Sequence, residues 1–384
     1  MKKRDLTKGN VTAVMLLFAV PMILGNIMQQ CYNLADTWIV GRFVGAEALA
    51  AVGSAYTLMT FLNSILIGMC MGSGALFSIC YGRRALRKLK EYIVSSFVLI
   101  FSVTVILTIV SYVCLDPILT LMQIPADIYG LMRSYMGLIL AGLIFVFLYN
   151  YFASLLRALG NSVVPLVFLA VSAGLNIVLD LWFVCGLGRG VAGAAEATVI
   201  AQYVSGVGIA LYTWFGFPLL RAACRAKLRP ARIKEIASFS ALTCIQQSVM
   251  NLGILAVQGL VNSFGTVVMA AFAAAVKIDA FAYLPVQDFG NAFSTYVAQN
   301  YGAGQTDRIR KGIRSAGLCS AAFCIVISVL VCAFAAPLMG IFIDPAETAI
   351  LAAGVHYLHI EGACYLGIGI LFLLYGYYLS LIHI

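Results

Sequence analysis

Charge is what this sequence has least of: among 384 residues only 10% are Asp, Glu, Lys or Arg, while 62% are hydrophobic. That balance excludes an ordinary soluble domain, in which about a quarter of the residues are charged. Catalytic signatures are missing too. There is no HExxH, no GxSxG and no CxxC, and no third ligand joins His356 and His359, which stand three residues apart. No catalytic residue and no metal ligand is therefore assigned, and the chain is read as not being an enzyme. The 11 cysteines do not form a disulfide framework, because most of them, such as Cys31, Cys70, Cys114 and Cys324, lie at irregular spacing inside apolar runs. No small-residue cleavage pattern follows the charged start MKKRDLTKGNVTAVMLLFAV, which sets a signal peptide aside.

What the sequence does have is a series of apolar stretches, each long enough to cross a hydrocarbon core about 30 Å thick. Divided at Gly, Pro and charged breaks, they give about ten spans, centred near Leu24, Leu62, Val103, Gly142, Ser172, Val204, Val249, Leu284, Cys324 and Tyr365. The fold class expected is an all-α, polytopic membrane protein.

The connections between spans fall into two sets. One holds Lys2, Lys3, Arg4 and Lys8, then Arg83, Arg84, Arg87, Lys88 and Lys90, then Arg157. It also holds Arg221, Arg225, Lys227, Arg229, Arg232 and Lys234, and finally Arg308, Arg310, Lys311 and Arg314. Together these are 20 of the 24 Lys and Arg residues, whereas the opposite connections keep Arg42, Arg133 and Arg189. The positive set is expected to face the cytoplasm, with the N-terminus, in a multi-pass protein of the cell (plasma) membrane. Alternate-loop placement also accounts for the net charge of +9 without nucleic acid, with anionic lipid headgroups as partner enough.

The chain repeats itself at an offset of 220 residues: GAEALAAV at 45–52 matches GTVVMAAF at 265–272, Tyr81 and Gly82 match Tyr301 and Gly302, and Pro117 and Pro125 match Pro337 and Pro345. Two homologous lobes follow, residues 1–220 and 221–384, with the basic segment from Arg221 to Lys234 as linker. An even number of spans per repeat makes the lobes parallel, pseudo-symmetric about an axis along the membrane normal, with a central cavity between them. In the first lobe YNYFASLLRALGNSVVP (149–165) closes the fourth span and two more follow, while YGYYLSLIHI (375–384) ends the chain at the corresponding point. Six spans and then four of an expected six are thus present, and a C-terminal truncation, with LIHI not native, is expected.

Acidic residues inside spans are costly, on the order of 3 kcal/mol at the bilayer centre, and are functional candidates by default. Asp36 lies five residues, roughly 7 Å, below a boundary at Gly41. Asp180, on the fifth span ending near Gly186, lies at a similar depth, and Thr198, on the sixth, roughly 10 Å down. Asn176 faces the same way as Asp180, four residues on. Two such carboxyls at one level repel when both are ionised, so one is expected to hold a proton unless a cation replaces it. In the second half Gln246, Gln247, Lys277, Asp288 and Glu361 are candidates for a substrate-lining surface. Asp279 stands beside them as a member of an ion pair or of the same surface. Glu196 is expected either to tune the Asp pair or to reach the outer interface.

Four stretches, PMILGNIMQQCYNLADTWIVGRFVGAEALAAVG, LRALGNSVVP, NIVLDLWFVCGLGRGVAGAAEAT and FGNAFSTYVAQNYGAGQTDRIRKG, resemble the multidrug and toxic compound extrusion (MATE) transporters. The resemblance implies twelve helices in two six-helix lobes and export of small amphipathic organic cations in exchange for protons or sodium ions. It adds Tyr135 and Asn150 on the fourth span to the ion-coupling group, and Pro21 as a kink in the first. No cofactor beyond the coupling ion is implied, and a monomer is expected. The rival reading is a flippase of the same superfamily that moves a lipid-linked saccharide.

Overall fold

The computed structural model describes residues 5–381 apart from 123 and 345, so the last three residues of LIHI and Pro345 lie outside the described residues. The described chain is built from helices alone, and each of the ten expected centres falls within a long one. In order these are α1 (Val11–Phe43), α2 (Ala46–Gly82), α3 (Leu86–Val113), a short α4 (Leu115–Leu121), α5 (Ala126–Ala158) and α6 (Val163–Asp180) with a π-helical continuation (Leu181–Gly186). There follow α7 (Gly190–Gly216), a short α8 (Pro218–Ala223), α9 (Pro230–Asn262), α10 (Thr266–Gly302), α11 (Thr306–Ala333), a short α12 (Ala335–Met339) and α13 (Thr348–Leu381). Among the described residues nine helices are long and apolar enough to cross a membrane, and α9, of 33 residues, takes the place of the expected seventh span.

The repeat recurs in the backbone. Helices α2 and α10 have 37 residues each and start 220 apart, as do α3 and α11 with 28 each. The turns repeat as well: Gly45 and Gly265, each just before its helix, have φ of 117° and 91°. At the far end of the same helices Arg84 N donates to Tyr81 O and Ala85 N to Cys80 O, matched by Gly304 N to Tyr301 O and Gln305 N to Asn300 O. This left-handed closure suits glycine, and Gly304 has φ 72°, whereas its counterpart Arg84 holds φ 55° with a full side chain. We expect Arg84→Gly to raise thermal stability by about 1 kcal/mol through relief of that strain. A melting temperature at or below the parent's would contradict this.

Packing divides the described chain differently from the repeat. Of the described residues, one unit holds 28–248 and the other joins 5–27 to 249–381. Hence α1 and α9 each pass from one unit into the other part-way along, where the repeat alone divides the chain at 220/221. In the first unit α2, α3, α5 and α7 enclose a core with Phe77, Phe147 and Tyr151 at its centre, and the Tyr151 hydroxyl donates to Ile93 O at 2.6 Å. The inner part of α9 joins this unit where Gly72 leaves no room for a Cβ beside the Ser240 backbone and where Thr243 Oγ1 donates to Gly68 O at 2.6 Å. Its start is fixed ionically, since buried Glu91 on α3 meets Arg229 at 3.6 Å and Arg232 at 3.3 Å.

In the second unit α10, α11 and α13 pack around Ala275, Cys324 and Leu358. The first half of α1 joins them through Met15, Phe18, Ala19 and Met22 against Phe289, Phe293 and Tyr296. Arg308 gathers the arm that precedes α1, donating to Gly9 O at 2.9 Å and Leu6 O at 3.3 Å. Helix α1 continues through Pro21, whose missing N–H leaves Leu17 O without its usual helical donor. Side chains such as Ile106, Val110, Val178, Leu211 and Phe215 are exposed on the units, as a lipid solvent allows. Outside the spans, the Arg133 guanidinium on Asp116, with Nε at 2.7 Å from Oδ1, and then the Tyr129 hydroxyl hold the Asp116 carboxyl below the usual carboxylate range.

Candidate functional site

The group expected in the first lobe assembles inside the first unit. Asp36 lies seven residues before the end of α1, and Asp180 is the last residue of α6, so both stand near the ends of their helices on the same side. Their carboxyl groups face each other within hydrogen-bonding reach. Tyr32, one turn before Asp36 on α1, and Tyr135 on α5 are within electrostatic reach of both carboxyls. Asn176, one turn before Asp180, donates through Nδ2 to Thr198 Oγ1 of α7 at 3.3 Å. Four helices thus supply one polar cluster.

Burial sets the electrostatics of this cluster. Asp180 is 0% exposed and Asn176 2%, whereas Asp36 is only part-buried. Asp36 Oδ1, Asp180 Oδ1 and Oδ2 and Asn176 Oδ1 are all enclosed, and none receives a hydrogen bond from the described residues. Four enclosed acceptor oxygens without a donor are expensive for a fold to keep, at about 1–3 kcal/mol each and more for a charged group. A proton or an oxygen-seeking cation placed among them would satisfy the group. The helix widens to π geometry directly after Asp180, at Leu181–Gly186, a deviation that often accompanies functional sites.

Asn150 is not part of this cluster. It lies 15 residues, roughly 22 Å of helix, beyond Tyr135, and its Nδ2 donates within α5 to Val146 O at 2.9 Å. Axial distance along a straight helix is the reason. Glu196 pairs with Arg189, whose guanidinium also lies over the Phe183 ring at 6.0 Å, so this acid is tied to the turn before α7.

The second-half candidates do not form one cluster. Gln246 and Gln247 are part-buried on the stretch of α9 that belongs to the first unit. Lys277 is exposed on α10, with Nζ 5.9 Å from the Phe342 ring centre and no ion pair among the described residues. Asp288 is 5% exposed and accepts from Asn26 Nδ2 at 2.7 Å. Glu361 on α13 stands in electrostatic reach of Asp279 on α10, with Tyr365 beside Asp279 and Tyr357 beside Glu361.

Three parts of this picture are not evident from the sequence. Tyr32 stands one helical turn before Asp36, a spacing that by itself gives a tyrosine no role. Tyr357, Glu361 and Tyr365 are spaced by four, a readable stripe on one helix face that no rule about single acids brings out. The π-helical turn has no sequence signal of its own.

Comparison with known proteins agrees with this architecture. The MatE family model matches residues 21–182 and 243–381. The probable multidrug resistance protein YpnP of Bacillus subtilis is 30% identical over 386 aligned residues, covering 98% of this chain and 84% of that protein. An FAD transporter of Shewanella oneidensis is 25% identical, covering 89% of this chain and 77% of that protein. Among solved structures, a superfamily transporter from Pyrococcus furiosus superposes with a TM-score of 0.91 at 21% identity, covering 99% of this chain and 85% of that one.

Proposed function

Since this chain belongs to the MatE family of membrane transporters, we propose that it is a multidrug efflux antiporter that exports small amphipathic organic cations in exchange for protons or sodium ions by alternating access. The observation that carries the reading is the set of four enclosed oxygens on Asp36, Asp180 and Asn176 that lack a hydrogen-bond donor. In this reading Asp36, the more open acid, admits the coupling ion, and Asp180 with Asn176 and Thr198 completes its shell. Tyr32 and Tyr135 screen the pair and offer aromatic faces to a cationic drug. A drug cation and the coupling ion then compete for one negative site, and their exchange biases the outward-open against the inward-open form. The N-terminus is on the cytoplasmic side in this proposal.

The test is transport in vesicles. Uptake or release of ethidium by the reconstituted protein should follow an imposed proton gradient or an imposed sodium gradient, and whichever drives it names the ion. Absence of gradient-driven movement in folded protein would overturn the antiporter reading. A second reading, transport of an anion-bearing substrate such as a lipid-linked saccharide, has Lys277 in its favour, an exposed cation on α10 with no ionic partner among the described residues.

A further inference from the structure

Helix α1 belongs to two packing units, and its last firm polar contact before it crosses is the one between Asn26 and Asp288. Asn26 precedes by one residue the point, after Ile27, where α1 leaves the second unit. Its Nδ2 lies 2.7 Å from Asp288 Oδ2, a carboxylate only 5% exposed on α10. A hydrogen bond of this length is directional, so it specifies both height and rotation of the residue that donates it. Below it, α1 is held by apolar packing and by Thr12 Oγ1 on Ser315 Oγ at 2.6 Å. Five residues before Asn26, Pro21 removes the helical hydrogen bond to Leu17 O, so the helix is least stiff just before the point that this contact holds. Beyond it the same helix carries Tyr32 and Asp36, with Asp36 ten residues, roughly 15 Å, further along.

We propose that Asp288 is a positioning residue for ion coupling. By holding Asn26 it fixes the register at which α1 presents Tyr32 and Asp36 to Asp180. This rests on the coupling role given above to the Asp36–Asp180 pair. Asp288 touches neither ion nor drug in this account. The account therefore requires the bond, not a carboxylate at position 288.

Exchanging the two side chains tests that requirement. Asn26→Asp alone replaces the donor with a second carboxyl, which lowers the melting temperature, and gradient-driven ethidium turnover should fall about tenfold, the loss expected for one hydrogen bond, while ethidium binding stays near the parent's. The double variant Asn26→Asp with Asp288→Asn restores donor and acceptor in reversed order, and turnover should return to within about threefold of the parent. A double variant no better than Asn26→Asp, or parental turnover in Asn26→Asp, would overturn the proposal. So would a parallel loss and recovery of binding, melting temperature and turnover, which marks a purely structural bond. A nitroxide on Cys31, with the other cysteines replaced, reads the register of α1 without transport. Its spectrum should change in Asn26→Asp and revert in the double variant. If it does so while the parent moves no ethidium under any gradient, the antiporter reading fails and the positioning role stands.

Discussion

Asp36→Asn is expected to abolish gradient-driven export, lowering it by at least about a hundredfold, and at the same time to make the protein more stable, since a buried donor–acceptor pair contributes about 1 kcal/mol. Both effects come from one property of the site. The carboxyls of Asp36 and Asp180 face each other, and three of their four oxygens are enclosed with no donor among the described residues. A lone amide in place of the Asp36 carboxyl has nearly the same shape and offers the N–H that Asp180 lacks. The amide is a permanent donor where the carboxyl pair depends on a proton or a cation, and nothing remains to exchange an ion for a drug. Proteoliposome transport and a melting curve on the same preparation check the two halves together. Lost transport with a lowered melting temperature would instead assign Asp36 a structural role, and retained coupled export would remove the pair from the mechanism.

Gly376→Leu should be the most damaging substitution in the second unit, costing more than about 3 kcal/mol and leaving little folded protein. Helices α10 and α13 approach here backbone to backbone. A Cβ built on Gly376 would stand 3.2 Å from the carbonyl carbon of Gly290 and 3.5 Å from Ser294 N, with Gly290 O nearer still. One turn further on, Ser380 Oγ donates to Ser294 O at 2.8 Å, a bond available only at this separation. In lipid there is no hydrophobic drive between helices, so close backbone approach with small residues and interhelical bonds is what holds them. A leucine would force the pair apart and lose both. Size-exclusion profiles and melting curves in detergent read the effect, with Gly53→Ala as the control, since a Cβ at Gly53 meets nothing within 4 Å. A monodisperse Gly376→Leu protein with parental melting would show that the crossing tolerates being widened.

The spans were legible because lipid demands long apolar helices, and the repeat was legible because each lobe closes its turns in the same way. Gly45 with Gly265, and Arg84 with Gly304, sit at equivalent backbone positions. The Asp36, Asp180, Asn176 and Thr198 group was also readable, since depth along a straight helix places a residue to within a turn. The same arithmetic sets Asn150 15 residues from Tyr135 along α5, where it bonds within its own helix. What could not be read is which helix packs with which. Hydropathy says that α1 and α9 cross the membrane; it does not say that the first half of α1 pairs with α10 and α11 while the inner half of α9 pairs with α2 and α3. Those choices rest on local fit, such as Phe18 against the Phe293 region and Ser240 against Gly72.

The sharing of α1 and α9 has a consequence for how the molecule is made. The first helix to leave the ribosome cannot find its partners until some 250 further residues have been synthesised, because Met15, Phe18 and Met22 pack against Phe289, Phe293 and Tyr296. At about 5–20 residues per second, that half-helix waits on the order of ten to fifty seconds in the bilayer. During this time its Asn26 lacks the carboxylate that receives its hydrogen bond in the finished protein. The N-terminal unit, too, stays incomplete until the start of α9 arrives to meet Glu91. Neither half is therefore an independent folding unit, and the two halves expressed as separate chains split at residue 220 should each expose the surface that the other's leading helix covers.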